Sequence, residues 1–100
     1  MGYVNYETEG AVGIITIDRP KALNALNPEV LDDLNAVLDQ VDQNVIRCLI
    51  LTGAGDKSFV AGADIAAMYE MDKQGGYDFA RKGNDIFLKI IYGFPEQIFK

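Results

Sequence analysis

The sequence predicts an α/β fold, in which short strands and longer helices share a chain of 100 residues. Two patterns support this prediction. Short runs rich in β-branched residues indicate strands, and longer stretches with apolar residues spaced three and four apart indicate amphipathic helices. The predicted order is two strands, a helix, a strand and two helices. A chain of this length forms one domain at most.

The first two predicted strands form a hairpin. Residues 12–18 are short and rich in β-branched side chains, and residues 3–8 alternate in polarity as a partly buried strand does. We expect a turn at Glu9 and Gly10 to join them. The hairpin should end at Pro20, because proline cannot donate a hydrogen bond to a ladder.

The run from Val45 to Leu51 is nearly all apolar and predicts the third strand. Such a run is typical of a strand that is covered on both faces, as in a parallel sheet flanked by helices. We expect the core to include six apolar residues of the strands and the first helix, namely Ile15, Ile17, Leu34, Leu38, Leu49 and Leu51.

Three helices are predicted. Asn27 is a favoured N-cap, Pro28 suits the first helical position, and the apolar spacing that follows predicts an amphipathic helix over residues 28–43. A short helix is predicted from Asp64 to about Met71. The glycines at 75 and 76 should end it and precede a last amphipathic helix, which stops before Gly93.

Composition excludes several functional classes. The net charge of −6 disfavours nucleic-acid binding, which needs a basic face to neutralise phosphates. The absence of histidine from these residues excludes a Ser-His-Asp triad and a histidine-based metal site within them. A lone cysteine, Cys48, allows no intrachain disulfide. With no membrane-length apolar run and no secretory signal pattern, we expect a cytoplasmic protein without membrane partners.

Two segments are candidates for chemistry. Residues 58–65 follow a glycine-rich turn and bring small residues and Asp64 to a predicted helix start, where free backbone N–H groups can stabilise an anion. The alternative is a tight connection in which Asp64 only caps the helix. Residues 18–26 contain Arg19 and Lys21, which suit a phosphorylated ligand. The alternative there is a solvated loop whose apolar residues pack on the next helix.

Together the two segments resemble the enoyl-CoA hydratase/isomerase, or crotonase, family. The blocks that carry the resemblance are DRPKALNALN at 18–27 and LILTGAGDKSFVAGADI at 49–65, with the spacing that the family uses. The resemblance extends from about Val4 to Pro95 and is strongest to the bacterial short-chain hydratases, which interconvert 3-hydroxybutyryl-CoA and crotonyl-CoA. It implies the N-terminal portion of a crotonase-like spiral of ββα units, the fold shared with ClpP.

The resemblance also implies a site. By its position in the motif, the backbone N–H of Ala63 is expected to be the first donor of an oxyanion hole for the thioester carbonyl of an acyl-CoA. The residues that match the substrate-binding positions of the family are Lys21, Ala22, Leu23, Ala61, Gly62, Ala63, Asp64 and Ile65. Coenzyme A is part of the substrate, so no separate cofactor and no metal are expected. Ala66 stands where many relatives have a lysine.

The resemblance stops near Pro95, although members of the family are more than twice as long. The second oxyanion glycine and the two catalytic glutamates of the family have no counterpart here. Residues 96–100 do not reproduce the family's next strand, so we expect the third strand to keep an exposed edge. The chain is therefore interpreted as an incomplete N-terminal domain, truncated near residue 95, with hydratase-type chemistry but little activity alone.

Two other functions remain open at this point. One is a non-catalytic fragment that binds acyl-CoA or another protein, and the other is a double-bond isomerase of the same family. A third interpretation is a non-functional product, whose uncovered apolar surface would favour aggregation or self-association. Full-length relatives form trimers or hexamers, but the resemblance predicts no assembly for this chain.

Overall fold

The computed structural model describes residues 3–19, 26–55 and 71–99. These residues form a four-stranded sheet with the order β1-β2-β3-β4, together with two helices. The strands are β1 (Val4–Glu9), β2 (Val12–Ile17), β3 (Cys48–Gly53) and β4 (Glu96–Phe99), and the helices are α1 (Pro28–Gln40) and α2 (Lys73–Gly93). This architecture confirms the predicted α/β class.

β1 and β2 form the predicted hairpin, pairing antiparallel with Val4 opposite Ile17. Gly10 turns the chain with a φ of 60°, a left-handed conformation that glycine adopts without steric cost. Gly13 lies beside the ring of Tyr6, and a Cβ at residue 13 would come within 3.1 Å of the Tyr6 hydroxyl. A side chain at residue 13 would therefore require the Tyr6 ring and the Leu49 side chain to shift by a few tenths of an ångström.

β2, β3 and β4 run parallel to one another. The expectation that residues 96–100 would leave β3 with an exposed edge is wrong. The amide of Glu96 donates to the carbonyl of Arg47 at 3.1 Å, which begins the pairing. Ile98 and Phe99 are residue types that favour strands, whether or not they match a family pattern. β3 is therefore an interior strand, and β4 lies at the edge of the sheet.

Both described helices cover the same face of the sheet. They contact each other, and their apolar residues join alternate residues of β2 and β3 in one core. The core residues are Ile15, Ile17, Val30, Leu31, Leu34, Val37, Leu38, Val41, Ile46, Leu49, Leu51, Ile86, Ile90 and Phe94. This confirms all six predicted core residues. The prediction that β3 is covered on both faces holds for one face, because no described helix lies on the other.

α1 begins as predicted and ends earlier. The Asn27 side chain accepts a hydrogen bond from the Val30 amide at 2.9 Å, as an N-cap should. The helix stops at Gln40 instead of residue 43, and the chain turns over residues 43–45 before β3. Because residues 43–45 form this turn, the third strand begins at Cys48 instead of at Val45. Val45 belongs to this turn, where its side chain is 54% exposed.

The prediction that Gly75 and Gly76 interrupt the helical region is wrong. Both lie in the first turn of α2, which begins at an N-cap formed by Asp72. The Asp72 carboxylate accepts a hydrogen bond from the Gly75 amide at 2.7 Å, and this capping offsets the low helix propensity of glycine. The predicted helix from Asp64 lies outside the described residues, except for Met71, which is not helical. Neither described helix is long and apolar enough to cross a membrane.

Candidate functional site

The carboxyl ends of β2 and β3 lie side by side at one edge of the sheet. Ile17 pairs with Gly53, and the amide of Ala54 donates to the Ile17 carbonyl at 2.7 Å. The chain leaves this edge twice, after β2 towards residues 20–25 and after β3 towards residues 56–70. In open α/β sheets, ligands bind beyond the carboxyl ends of the strands. Both candidate segments therefore start where this fold class places its sites.

The first segment is anchored at both ends by described residues. At its start, the amide of Asp18 donates to the Tyr3 carbonyl at 2.7 Å, and the Arg19 guanidinium lies 5.6 Å from the centre of the Tyr3 ring. At its end, Leu26 packs against the core and Asn27 caps α1. This arrangement fixes both ends of the stretch that contains Lys21. It also places the charge of Arg19 against an aromatic face, a cation–π contact.

The second segment begins at a glycine that the backbone requires. Gly55 has a φ of 85°, in the left-handed region that residues with a Cβ adopt only with strain. It lies two residues after the end of β3, at the point where the chain turns away from the sheet. The conformation of Gly55 therefore sets the direction in which the chain enters residues 56–70.

The predicted site residues themselves lie outside the described residues. They are Lys21, Ala22, Leu23, Ala61, Gly62, Ala63, Asp64 and Ile65. The assignment of Ala63 as an oxyanion donor and of the others as substrate-binding residues stays a prediction. The structure adds the geometry before them, because the two strands that precede these segments, β2 and β3, end side by side.

Tyr3 is a residue near the site that sequence reasoning missed. Its carbonyl and its ring hold Asp18 and Arg19, the first two residues of the first segment. The sequence predicts only that Tyr3 belongs to an alternating strand. The contact with Arg19 follows from the antiparallel register of the hairpin, which brings the start of β1 beside the end of β2.

The described part of the chain offers no candidate metal site. Within residues 3–19, 26–55 and 71–99, no group of three or more acidic, cysteine or histidine side chains is placed to hold a metal ion. Burial raises the pKa of the Tyr6 phenol, and the negative charge of Asp42 raises it further. Tyr6 lies beside Gly13 near the start of β2, at the opposite end of that strand from the carboxyl edge.

Comparison with known proteins identifies the family of this chain. The family model described as enoyl-CoA hydratase/isomerase matches residues 7–94. The chain is 47% identical over 85 residues to the short-chain-enoyl-CoA hydratase of Clostridium acetobutylicum, a match that covers 84% of this chain and 33% of the relative. It is 41% identical over 93 residues to the crotonyl-CoA hydratase of Syntrophomonas wolfei, covering 90% of this chain and 36% of that one.

Solved structures give the same result for the fold. An enoyl-CoA hydratase from Thermoplasma volcanium superposes with a TM-score of 0.87 at 34% identity, covering 98% of this chain and 40% of that one. An enoyl-CoA hydratase from Bacillus anthracis superposes with a TM-score of 0.86 at 25% identity, covering 94% and 38%. These matches confirm the predicted crotonase-like fold. The chain spans about a third of the length of the curated relatives it matches, and over that span it belongs to the enoyl-CoA hydratase/isomerase family.

Proposed function

We propose that this chain supplies the acyl-CoA-binding part of an enoyl-CoA hydratase, which adds water reversibly to a short-chain 2-enoyl-CoA such as crotonyl-CoA. The observation that carries the proposal is the common origin of the two motif segments at the carboxyl edge of β2 and β3. A substrate bound there would meet both segments at once. The 47% identity to a short-chain-enoyl-CoA hydratase supports the choice of chemistry and of acyl length.

The chemistry that we propose for the site is oxyanion stabilisation. When water adds to the double bond, negative charge develops on the thioester oxygen, and a preorganised backbone N–H lowers the energy of that state. We assign this donor to Ala63, whose small side chain lets the thioester approach the backbone. Lys21 would meet a phosphate group of coenzyme A, and the contact of Arg19 with Tyr3 would hold the start of its segment in place.

We propose that the chain by itself has little hydratase activity. Its sequence offers no counterpart of the second oxyanion glycine or of the two glutamates that serve the family as acid and base. Each such group typically contributes about 10²-fold or more to the rate. Coenzyme A enters as part of the substrate, so the proposal includes no separate cofactor, and it places the reaction in the cytoplasm.

Binding and turnover should be measured separately. Calorimetric titration with coenzyme A tests the binding surface, and incubation with crotonyl-CoA, followed by separation of the thioesters, tests hydration. Saturable binding with hydration at least about 10²-fold below that of the Clostridium acetobutylicum enzyme is the expected result. Conversion of a 3-enoyl-CoA to a 2-enoyl-CoA would identify an isomerase instead. The absence of saturable binding would contradict the proposal.

A matched pair of lysine variants locates the binding surface. Lys21→Gln should weaken coenzyme A binding several-fold, and the loss should shrink as salt is added, because salt screens the contact with phosphate. Lys73→Gln removes the same charge at the start of α2, where the side chain is exposed, and should leave affinity unchanged. Equal losses in the two variants would show that net charge alone governs the binding, and would contradict the placement at Lys21.

A further inference from the structure

The helix α1 contacts the start of β1 through one acidic side chain. The Asp33 carboxylate accepts a hydrogen bond from the Tyr3 amide at 3.4 Å, between residues that are 30 positions apart in sequence. Both residues are partly buried. A charged acceptor strengthens a hydrogen bond of this kind, so Asp33 ties the backbone of Tyr3 to the helix.

Tyr3 in turn holds the start of the segment that contains Lys21. Its carbonyl accepts from the Asp18 amide at 2.7 Å, and its ring lies 5.6 Å from the Arg19 guanidinium. The same segment ends at Asn27, which caps α1. One helix is therefore connected to both ends of the segment, directly at the far end and through Tyr3 at the near end.

We propose that Asp33 is a positioning residue for the coenzyme A-binding segment and acts through Tyr3. The carboxylate fixes Tyr3, and Tyr3 fixes the residues that precede Lys21, so α1 sets the distance between the two ends of the segment. The inference rests on the proposed function for its ligand. It adds that binding of an anionic ligand depends on a side chain that is itself negatively charged.

The sign of the effect at Asp33 separates positioning from electrostatics. Coenzyme A carries several negative charges, so loss of a carboxylate should strengthen its binding if charge alone acts. We expect Asp33→Ala to weaken binding about threefold instead, because the Tyr3 amide loses its acceptor. Asp33→Asn removes the charge but keeps a side-chain oxygen, and should bind at least as tightly as the unmodified chain. Asp39→Ala removes the same charge from the last turn of α1 and should not weaken binding.

A second matched pair tests the ring of Tyr3. Tyr3→Leu keeps an apolar side chain against the core and removes the aromatic face, so affinity for coenzyme A should fall about two- to fivefold. Tyr3→Phe keeps the face and loses only the hydroxyl, so its affinity should stay within about twofold of that of the unmodified chain. Equal losses in the two variants would show that the aromatic face does not hold Arg19 for binding.

Limited trypsin digestion tests the same contacts without coenzyme A. The bond after Arg19 precedes a proline and resists trypsin, so cleavage after Lys21 reports on the segment, and cleavage after Arg81 in α2 reports on the rest of the fold. We expect Asp33→Ala and Tyr3→Leu to speed the first cleavage about threefold relative to the second. The asparagine and phenylalanine variants should leave the ratio unchanged.

Each contrary result overturns the inference. Asp33→Ala binding as tightly as Asp33→Asn would show that the acceptor has no role in affinity. Equal acceleration of both cleavages would assign Asp33 to the stability of the whole fold. Absence of coenzyme A binding by the unmodified chain would contradict the proposed function, whereas an unchanged cleavage ratio would contradict the role of Asp33, so the two failures are distinguished.

Discussion

The two faces of the sheet are built from alternate residues of the same strands, yet they differ in how completely they are covered. On the helix-covered face, Ile15, Ile17, Leu49 and Leu51 have no exposed surface. On the outer face, which is the side of the sheet away from the helices, Ile14 and Ile50 are partly buried and Ile98 is 43% exposed. In β2 and β3, apolar composition is thus nearly equal on the two faces. The difference comes from α1 and α2, which reach one face only.

Substitutions at two adjacent residues of β3 should give the largest difference in the free energy of unfolding. Leu49→Ala removes a fully buried side chain and leaves a cavity, so the free energy of unfolding should fall by about 2–5 kcal/mol. Ile50→Ala, one residue along on the outer face, should cost about 1 kcal/mol, because part of that side chain already contacts water. Urea denaturation followed by circular dichroism measures both. Equal losses would show that the two faces are equally buried in solution.

The helix cap of α1 should have the next largest effect on stability, because this helix covers one face of the sheet. Asn27→Ala removes the acceptor of the Val30 amide and should lower the free energy of unfolding by about 1 kcal/mol. Asn27→Ser keeps a side-chain oxygen at the cap and should recover most of that loss in the same denaturation assay. A serine variant as unstable as the alanine variant would assign the role of Asn27 to something other than capping.

The comparison of the faces also shows what the sequence could predict. The six core residues were predictable because β-branched runs and apolar spacings of three and four indicate which side of a strand or helix is buried. The strand at Glu96–Phe99 was missed, since a four-residue edge strand is stabilised by pairing with β3 more than by its own composition. The prediction that Gly75 and Gly76 end a helix failed for a similar reason. The N-cap at Asp72 outweighs the low helix propensity of the two glycines.

The family was predictable from the sequence, whereas one contact beside the candidate site was not. The residue types at 18–27 and 49–65 identified the family, and the match over residues 7–94 confirms it. The contact of Arg19 with Tyr3 was not predictable, because it joins residues far apart in sequence through the register of a hairpin. Spacing along a chain carries information about local geometry, whereas such contacts depend on how strands are paired.

The ion pair between the two helices should contribute little to the covered face. Lys82 contacts Asp32 at the surface, where the two side chains are 39% and 63% exposed. Solvent screens a pair of this kind, so Lys82→Gln should lower the free energy of unfolding by less than about 1 kcal/mol. The difference should disappear in about 1 M salt. A loss that persists at high salt would show that the lysine stem packs between the helices instead.

The smallest expected effect lies at the rim of the covered face, where Tyr6 packs against the core. Burial raises the pKa of its phenol above the ordinary value of 10.0, and the charge of Asp42 adds to the shift. The folded state therefore disfavours the phenolate, so this contribution to stability is fully present below pH 10.0 and is lost as pH rises through the raised pKa.

Tyr6→Phe removes the titration and should flatten the decline in stability above that pH. Tyr92→Phe, at a side chain that is 83% exposed, is the control for losing one phenol from the unfolded chain. If the stability of Tyr6→Phe declined with pH in parallel with that of the unmodified chain, the Tyr6 phenol would be as well solvated in the folded protein as in the unfolded one.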